Sequence, residues 1–364
     1  MNICLIGHGI TCLILGNILS NKNIKISIFD ENKYKNKFST RTLGITKNNL
    51  DFLKKENINL NNKVWPINNI KVFNTSTNIK EILSFGPGKD SLFSLIKNYK
   101  LNDLLKKKIK KNKFIRKIRT NKKNFYKSII NNNHDFDLII NFDEKNKISK
   151  KLFYRRQDRD YNSTAYTTLL NHKKCDNHLA YQVFTKLGPI AFLPCSKNET
   201  SVVFSVLNQG RIISENEIYS LIKQYNKIYS IKSFSKIEKF QLKGSILRNY
   251  YNKNILCFGD NIHKVHPLAG QGLNMALRDI KIFSELIDKK IELGLPLDQS
   301  ILKDFENKTK HLNYLFVNSI EFINHFFKLD NKFNNVYSNK LFYFLENNYF
   351  FKKYSLKFAD RGFI

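Results

Sequence analysis

The chain has 364 residues, 42% of them hydrophobic, and its 62 Lys and Arg against 30 Asp and Glu give a formal net charge of +32 at pH 7. At about 150 residues per domain, this length predicts two domains with sizeable cores. A charge of this size is typical of nucleic-acid binding, but the basic residues are spread along the chain and accompany heavy use of Asn and Ile. We therefore expect no nucleic-acid partner, whereas scattered lysines do favour contact with an anionic membrane surface.

The cysteines predict a reducing compartment. No pair of Cys4, Cys12, Cys175, Cys195 and Cys257 has Cys-x-x-Cys spacing, and three of them lie in apolar runs, as free buried thiols do. The N-terminus lacks the basic start and small-residue cleavage site of a signal peptide, and the sequence has no apolar run as long as the roughly 18 residues that a membrane span needs. We expect a cytoplasmic protein, with peripheral contact to the inner membrane as a further hypothesis.

The hydrophobic pattern predicts the following elements in chain order. An apolar strand at 3–6 leads into a helical pattern that ends near residue 20, and an alternating strand at 24–29 completes a β–α–β unit. The later patterns predict two short strands within 64–84, a Lys-rich helix at 100–112, a strand at 136–141, sheet from 160 to 207, a helix near 215–228, strands near 238–248, a short buried strand at 254–258, and mostly helix from 270 onward.

The first glycine-rich turn, "GHGITC", follows the first strand. Gly7 permits a tight turn, Gly9 allows a pyrophosphate to approach the start of the helix, and Cys12 stands where the dinucleotide fingerprint needs a small residue. Asp30 ends the next strand, where a carboxylate can accept hydrogen bonds from an adenosine ribose. We predict a dinucleotide site; the alternative is an ordinary strand–helix turn with a surface Asp.

A second glycine-rich stretch, "GDNIHKVHPLAGQGLNMALRD", occupies 259–279. Asp260 offers a carboxylate to sugar-like hydroxyls, and Pro267 stiffens the loop that follows. The residues Gly270, Gln271 and Gly272 begin a helix whose free N–H groups stabilise negative charge. A reduced flavin carries negative charge on its pyrimidine edge, so this stretch predicts a flavin site; the alternative is a loop with helix-capping residues.

The 259–279 stretch closely resembles the second flavin-binding motif of the FAD-dependent aromatic hydroxylases of ubiquinone biosynthesis, which are similar to para-hydroxybenzoate hydroxylase. Three more segments resemble that family: "STRTLGITKNNLDFL" at 39–53, "VWPINNIKVF" at 64–73, and "AYQVFTKLGPIAFLP" at 180–194, which lies on the substrate side in the family. The resemblance covers most of residues 1–300.

This resemblance implies an α/β fold with a Rossmann-like FAD-binding domain, an inserted β-sheet substrate domain and a helical C-terminal region. The implied FAD-binding domain is discontinuous, with segments 1–65, 95–150 and 250–300; the substrate domain comprises 66–94 and 151–249, and 301–364 is the helical region. The resemblance also implies that Arg41 meets the cofactor, that Asp260 holds the ribityl chain, that the Gly-rich loop closes on the flavin ring, and that Asn274 belongs to the cofactor-binding residues. It identifies no catalytic acid or base.

The implied activity is monooxygenation of the aromatic ring of a polyprenylated ubiquinone precursor, with FAD as cofactor, NAD(P)H as electron donor and dioxygen as co-substrate. Two alternatives stay open: a hydroxylase of another aromatic or lipid substrate, and a non-catalytic FAD-binding subunit of a membrane-associated biosynthetic complex. A departure favours the second alternative. The family's Asp-Gly motif, which supports flavin and pyridine-nucleotide contacts, keeps Asp143 here, but Glu144 replaces the Gly and Ser149 stands near the Ser position.

His263 and His266 stand three residues apart in a loop with no third ligand evident, so we expect no metal.

The tail after residue 300 is rich in aromatic residues. It predicts helices that pack on the flavin domain or at the interface of a homo-oligomer; the alternative is an amphipathic membrane contact flanked by lysines.

Overall fold

The computed structural model describes residues 1–30, 40–75, 79–86, 91–118, 122–131, 134–208, 213–266 and 270–330, together with Lys357 and Asp360. The helices are α1 (Ile10–Ser20), α2 (Lys47–Lys55), α3 (Asn98–Lys111), α4 (Lys122–Ile130), α5 (Lys147–Leu152), α6 (Glu215–Tyr225), α7 (Gln271–Glu292) and α8 (Gln299–Asp330). The strands are β1 (Asn2–Ile6), β2 (Lys25–Phe29), β3 (Thr42–Thr46), β4 (Trp65–Ile67), β5 (Asn69–Thr75), β6 (Ile79–Phe85), β7 (Phe93–Lys97), β8 (Ile115–Lys117), β9 (Leu138–Asn141), β10 (Arg156–His172), β11 (Leu179–Thr185), β12 (Gly188–Ser196), β13 (Glu199–Leu207), β14 (Ile231–Phe234), β15 (Glu238–Leu247), β16 (Tyr251–Asn252), β17 (Ile255–Cys257) and β18 (His263–Lys264).

A six-stranded sheet with the order β16-β17-β9-β1-β2-β8 forms the first layer of the fold. All of its neighbours pair in parallel except β16 and β17. Because both faces of a parallel sheet are covered, its strands are continuous apolar runs, and every residue of β9 is buried. In chain order the parallel strands lie 3-2-1-4-5, the doubly wound order of dinucleotide-binding domains. The predicted α/β, Rossmann-like fold class is confirmed.

A larger, mainly antiparallel sheet has the order β18-β15-β10-β13-β12-β11-β5-β6, with β14 also paired to β10. Its core side chains from β10 to β13 pack with Ile218 and Ile222 of α6. The 17-residue strand β10 begins next to the second glycine-rich stretch, because Arg156 at its start donates a hydrogen bond to Asn261 at 3.0 Å. One end of the large sheet therefore lies beside the second glycine-rich stretch.

A small third sheet, β3-β7-β4, was not anticipated. Two short strands were predicted within 64–84, and the structure has three there. The backbone N–H groups of Asn68 and Asn69 both donate to His178 O, so the chain leaves its pairing with β7 at Ile67 and begins pairing with β11 at Asn69. The apolar pattern of the sequence continues from β4 into β5 without interruption. It therefore does not reveal that these two strands belong to different sheets. The domain boundaries stay a prediction.

The helices α7 and α8 complete the core behind the first sheet. The rings of Phe258, Phe283 and Phe305 contact one another with centroid distances of 5.3–5.8 Å, so the second glycine-rich stretch is anchored to both helices. Of the predicted helical region 301–364, the part through Asp330 is helical, and the remainder lies outside the described residues apart from Lys357 and Asp360. Within the described part of the chain, no helix has the length and apolarity needed to cross a membrane.

Candidate cofactor site

The turn after β1 needs glycine at its first position and leaves space at its second. Gly7 has φ of +143°, and a Cβ there would lie 3.0 Å from Phe142 Cβ. Gly9 has an ordinary extended backbone, with φ of −69° and ψ of 166°, and a Cβ there would meet no atom of the described part of the chain within 4 Å. Packing and backbone strain therefore account for Gly7. They do not account for Gly9, whose missing side chain keeps the start of α1 open to a ligand.

The start of α1 is electrostatically prepared for an anion. Gly9 is its N-cap, with no side-chain hydrogen bond to the first N–H groups and no acidic residue in the first turn. The free N–H groups and the helix dipole thus place partial positive charge at the space beside Gly9.

Cys12 and Asp30 both lie beside this turn. Cys12 is fully buried and its Sγ donates to Gly7 O at 3.4 Å. Burial, with a smaller effect of nearby Asp30, raises the pKa of the Cys12 thiol well above its usual value, so the thiol is neutral and serves as a small packing residue. Asp30 is partly exposed, and its Oδ1 lies 3.2 Å from Nδ1 of His8, the residue between the two glycines.

The second glycine-rich turn touches the first. Gly259 has φ of +62°, and a Cβ there would lie 3.1 Å from Thr11 Oγ1 and 3.6 Å from Phe142 Cδ1. Two segments almost 250 residues apart in sequence thus meet at the start of α1, on the same Phe142 that excludes a side chain at Gly7. Asp260 follows and is exposed, and its carboxylate has no hydrogen-bond partner within the described ranges.

The start of α7 is a second uncapped helix end. Gly270 is its N-cap with φ of +63°, no side chain caps it, and its first turn contains no acid. Within the described ranges, a Cβ on Gly270 would approach no closer than 4.0 Å, to Gly44 N, and one on Gly272 would have only Val265 Cγ2 at 3.9 Å. The left-handed backbone explains the glycine at 270, whereas the space over Gly272 is left open. Pro267 lies outside the described residues.

Asn274 braces this helix end against the small sheet. Its Nδ2 donates to Gly44 O at 3.0 Å and Gly270 O at 3.3 Å, and its Oδ1 accepts from Thr46 N at 3.1 Å and Asn49 Nδ2 at 2.9 Å. Two donors and two acceptors are the full capacity of the amide. The side chain of Asn274 therefore positions the α7 end, and any role toward a cofactor passes through that position.

Two more residues were predicted to bind a cofactor, Gln271 and Arg41; the first is buried and the second is exposed. Gln271 is buried, and its Oε1 accepts from Arg278 Nη2 at 3.1 Å. Arg41 is exposed directly before β3, and its backbone O accepts from Asn98 N at 3.1 Å. Since β3 is the strand that Asn274 holds, the structure brings Arg41 to the strand that borders the α7 end.

The stretch that replaces the Asp-Gly motif, with Asp143, Glu144 and Ser149, is hydrogen-bonded to the turn that contains Asp260. Asn261 Nδ2 donates to Asn141 O at 3.1 Å and Ser149 Oγ at 3.2 Å, and Ser149 Oγ donates to Asp143 O at 2.6 Å. Glu144 forms ion pairs with Arg156 at 3.7 Å and Lys264 at 3.2 Å. Sequence reasoning missed this network, because single asparagines carry no signal in a chain so rich in Asn.

A buried His–Asp pair joins strand β18 to helix α7, the two ends of the second glycine-rich stretch. His263 Nε2 lies 2.7 Å from Asp279 Oδ2, and both side chains are almost fully buried. Asn313 of α8 donates to the same carboxylate at 3.1 Å. In the part of the chain that the structure describes, no group of three or more His, Cys, Asp or Glu is arranged to hold a metal ion.

These residues fit a flavin dinucleotide. Two uncapped helix ends provide positive potential for phosphates and for negative charge on a ring, and the open space over Gly9 and Gly272 allows close backbone approach. The carboxylates of Asp30 and Asp260 are accessible to sugar hydroxyls, and α1 and the Asp260 turn both contact α7. The site can hold a long, charged, sugar-containing ligand.

Comparisons with known proteins agree with this geometry. Residues 188–288 match the FAD binding domain family. The fold superimposes on p-nitrophenol 4-monooxygenase PnpA of Pseudomonas putida with a TM-score of 0.76 over 99% of this chain and 98% of the other, at 11% identity. For PqsL, a probable FAD-dependent monooxygenase of Pseudomonas aeruginosa, the TM-score is 0.70 over 93% and 99%, at 13% identity. The chain has the fold of FAD-dependent monooxygenases.

Relatives found by sequence similarity indicate a more specific group of FAD-dependent enzymes. The chain is 24% identical to the mitochondrial ubiquinone biosynthesis monooxygenase COQ6 of Dictyostelium discoideum over 87% of this chain and 81% of that protein. It is 27% identical to the ubiquinone hydroxylase UbiM of Neisseria meningitidis, but over only 41% of this chain and 34% of that protein. The resemblance to FAD-dependent aromatic hydroxylases of ubiquinone biosynthesis is confirmed.

Proposed function

We propose that this chain is an FAD-dependent monooxygenase that hydroxylates the aromatic ring of a polyprenylated ubiquinone precursor. The observation that carries the proposal is the contact between the two glycine turns, where Gly259 approaches Thr11 of α1. This contact joins a dinucleotide-type turn and a flavin-type turn in one site. The substrate class is supported by the relatives, which are ubiquinone hydroxylases and monooxygenases of ubiquinone biosynthesis.

Each part of the site has a role under this proposal. The α1 end at Gly9 binds the pyrophosphate, Asp30 accepts hydrogen bonds from the adenosine ribose, and Asp260 holds the ribityl chain. The α7 end at Gly270 and Gly272 stabilises negative charge at the ring, and Arg41 adds a cation at the border of this end.

The chain's contribution to the reaction is binding, orientation and exclusion of water. FAD, when bound, supplies the reduction of dioxygen and the transfer of one oxygen atom to the ring. No side chain is assigned as a catalytic acid or base. The substrate ring would lie between the cofactor site and the β11–β12 part of the large sheet, the segment that resembles the family's substrate side.

NAD(P)H is the electron donor we propose. The opposing observation is Glu144, which replaces a glycine and is engaged by Arg156 and Lys264. This replacement favours a second candidate function, a non-catalytic FAD-binding subunit of a biosynthetic complex. A hydroxylase of another aromatic or lipid substrate is the remaining candidate, and it shares the whole cofactor site with the first. We further propose a cytoplasmic location with peripheral contact to the inner membrane.

The test is turnover by the purified chain reconstituted with FAD. NADH and NADPH are supplied separately, oxygen consumption is recorded with a polyprenylated phenol, and the product is analysed by mass spectrometry for one added oxygen atom. A phenol without the prenyl chain is the matched control. Rapid turnover of both phenols favours another aromatic substrate. Stoichiometric FAD binding without flavin reduction by either nucleotide favours the non-catalytic subunit.

A further inference from the structure

A groove of about 740 Å³ lies between the start of β10, the end of β15 and the middle of α8. Among the described residues, none from either glycine turn lines it. Its charged lining is mostly cationic, with Arg155, Arg156, Arg248 and Lys310 against Glu306, and Gln157, Asn307 and His311 complete the polar lining. The volume falls within the range of small-molecule sites, roughly 300–1,000 Å³.

The arginines are the informative part of this lining. Only ten of the 62 basic residues in the chain are arginines, and three of those ten line this one groove. The composition bias that explains the lysines therefore does not explain this concentration. Guanidinium groups bind phosphate oxygens through two parallel hydrogen bonds, which lysine ammonium groups cannot do.

Two of these arginines have charge available for a ligand. Arg155 and Arg248 are exposed, and neither pairs with a carboxylate within the described ranges of the chain. Arg248 N donates to Arg155 O at 2.9 Å, which holds the two residues side by side on neighbouring segments. Their side chains thus start from neighbouring backbone positions, and an anion that contacts both would offset the repulsion between their like charges.

Among the described residues that line the groove, Glu306 is the one carboxylate, and it does not neutralise these arginines. Glu306 Oε1 accepts from Lys310 Nζ at 2.8 Å, and its Oε2 accepts from Tyr250 N at 2.9 Å. Arg156 is already engaged by Glu144 and Asn261. The net positive charge that remains comes from Arg155 and Arg248.

The rest of the lining suits a flat apolar group. Ile246 and Leu247 form one wall, and the ring of Tyr314 lines the groove with 52% of its residue surface exposed. An exposed tyrosine ring offers a face for stacking a planar ring.

We propose that this groove is a second ligand site that binds a nucleotide carrying a diphosphate, with Arg155 and Arg248 on the phosphates and Tyr314 against the base.

The site is independent of the cofactor site in composition but adjacent to it. Arg156 lines the groove and donates to Asn261, the neighbour of Asp260. The inference does not rest on the proposed oxygenase activity, because only binding is measured. Since ADP is also part of FAD and would bind at the α1 end, the chain is first loaded with FAD, and excess FAD is removed by gel filtration. A failure here and a failure of the monooxygenase proposal are therefore separate results.

The experiment is isothermal titration with ADP of the chain loaded with FAD and freed of excess FAD, compared with Arg155→Gln, Arg248→Gln and the control Arg116→Gln, all treated in the same way. Arg116 lies on the edge strand β8 of the first sheet, so its substitution removes the same charge elsewhere. We expect ADP to bind. Each groove variant should lower the affinity for ADP by about tenfold or more through loss of a charge-assisted contact, and the control should change that affinity little. Arg248→Lys, which keeps the charge, should lose much of the affinity as well, and circular dichroism checks the fold.

Three results would overturn the inference. The first is absence of ADP binding. The second is an equal loss of affinity in the groove variants and in Arg116→Gln, which would mean unspecific attraction to a chain of net charge +32. The third is binding of phosphatidylglycerol vesicles, but not ADP, that depends on Arg155 and Arg248; the groove would then be a surface for lipid headgroups.

Discussion

Replacing Gly9 by alanine separates cofactor binding from folding more sharply than other substitutions in the site. Among the described residues, a Cβ at this position meets no atom within 4 Å, and the backbone angles of φ −69° and ψ 166° suit any residue. The methyl group therefore occupies only the space that we assign to the pyrophosphate of FAD.

The expected magnitudes differ for the two properties. Alanine at an N-cap costs a few tenths to about 1 kcal/mol, and the reduced freedom of the unfolded chain offsets roughly 0.4–1 kcal/mol, so the apoprotein should keep its stability within about 0.5 kcal/mol. Loss of one charge-assisted hydrogen bond to phosphate costs about 1.5–3 kcal/mol. FAD affinity should therefore fall roughly 10- to 100-fold.

Urea unfolding with and without FAD measures both properties. At an FAD concentration of about 100 times the parental Kd, the parent gains roughly 2.7 kcal/mol of stability, whereas a variant with 100-fold weaker binding gains about 0.4 kcal/mol. The contrasting variant is Gly7→Ala. A Cβ at Gly7 would lie 3.0 Å from Phe142 Cβ at a φ of +143°, so we expect this variant to destabilise the apoprotein itself.

The reasoning is refuted if Gly9→Ala unfolds at the parental urea concentration and also retains the parental FAD affinity. The open space beside Gly9 would then not be part of a cofactor site. A large loss of apoprotein stability would contradict the account in a different way, because it would mean that the glycine serves the fold.

Three more predictions concern the second turn. Gly272→Val should fold, because of the described residues only Val265 lies near its Cβ. It should nevertheless weaken FAD binding and lower the reduction potential of retained flavin, since the α7 end is pushed from the ring; a redox titration checks this, and parental values contradict it. Asp260→Ala should cost about 1–3 kcal/mol of FAD binding without loss of stability, and unchanged affinity by fluorescence titration counts against its role. Asn274→Ala should lower both the unfolding free energy, by roughly 2–4 kcal/mol for the unpaired groups it leaves, and the FAD affinity; if only affinity changes, Asn274 contacts the cofactor directly.

Much of the first sheet was predictable because its signals are local. The apolar run of β1, the turn at Gly7 and Gly9, and the alternation of β2 lie within 30 residues, and the parallel strands have the continuous apolar pattern that burial on both faces requires. The predicted positions of β9, β15 and α7 also agree with the structure within a few residues. Boundaries depended on capping: the helix predicted to 228 ends at Tyr225, because Asn226 turns the chain and accepts from Tyr229 N.

The features that the sequence could not provide are long-range. The contact of Gly259 with Thr11, the brace from Asn274 to Thr46 and Asn49, and the network of Asn261 with Asn141 and Ser149 all join segments more than 100 residues apart. Motif spacing identifies Gly259 and Asn274 as interesting but does not reveal their partners. The groove beside β10 was missed for the same reason, since its arginines come from two distant segments.

The visible absorption spectrum of the purified chain after incubation with FAD and gel filtration tests the central claim most directly. The account predicts the two absorption bands of bound flavin, with stoichiometric FAD released on denaturation and much less retained by Gly9→Ala. A folded wild-type chain that stays colourless after this treatment, or a Gly9→Ala variant that retains as much FAD as the parent, would contradict it.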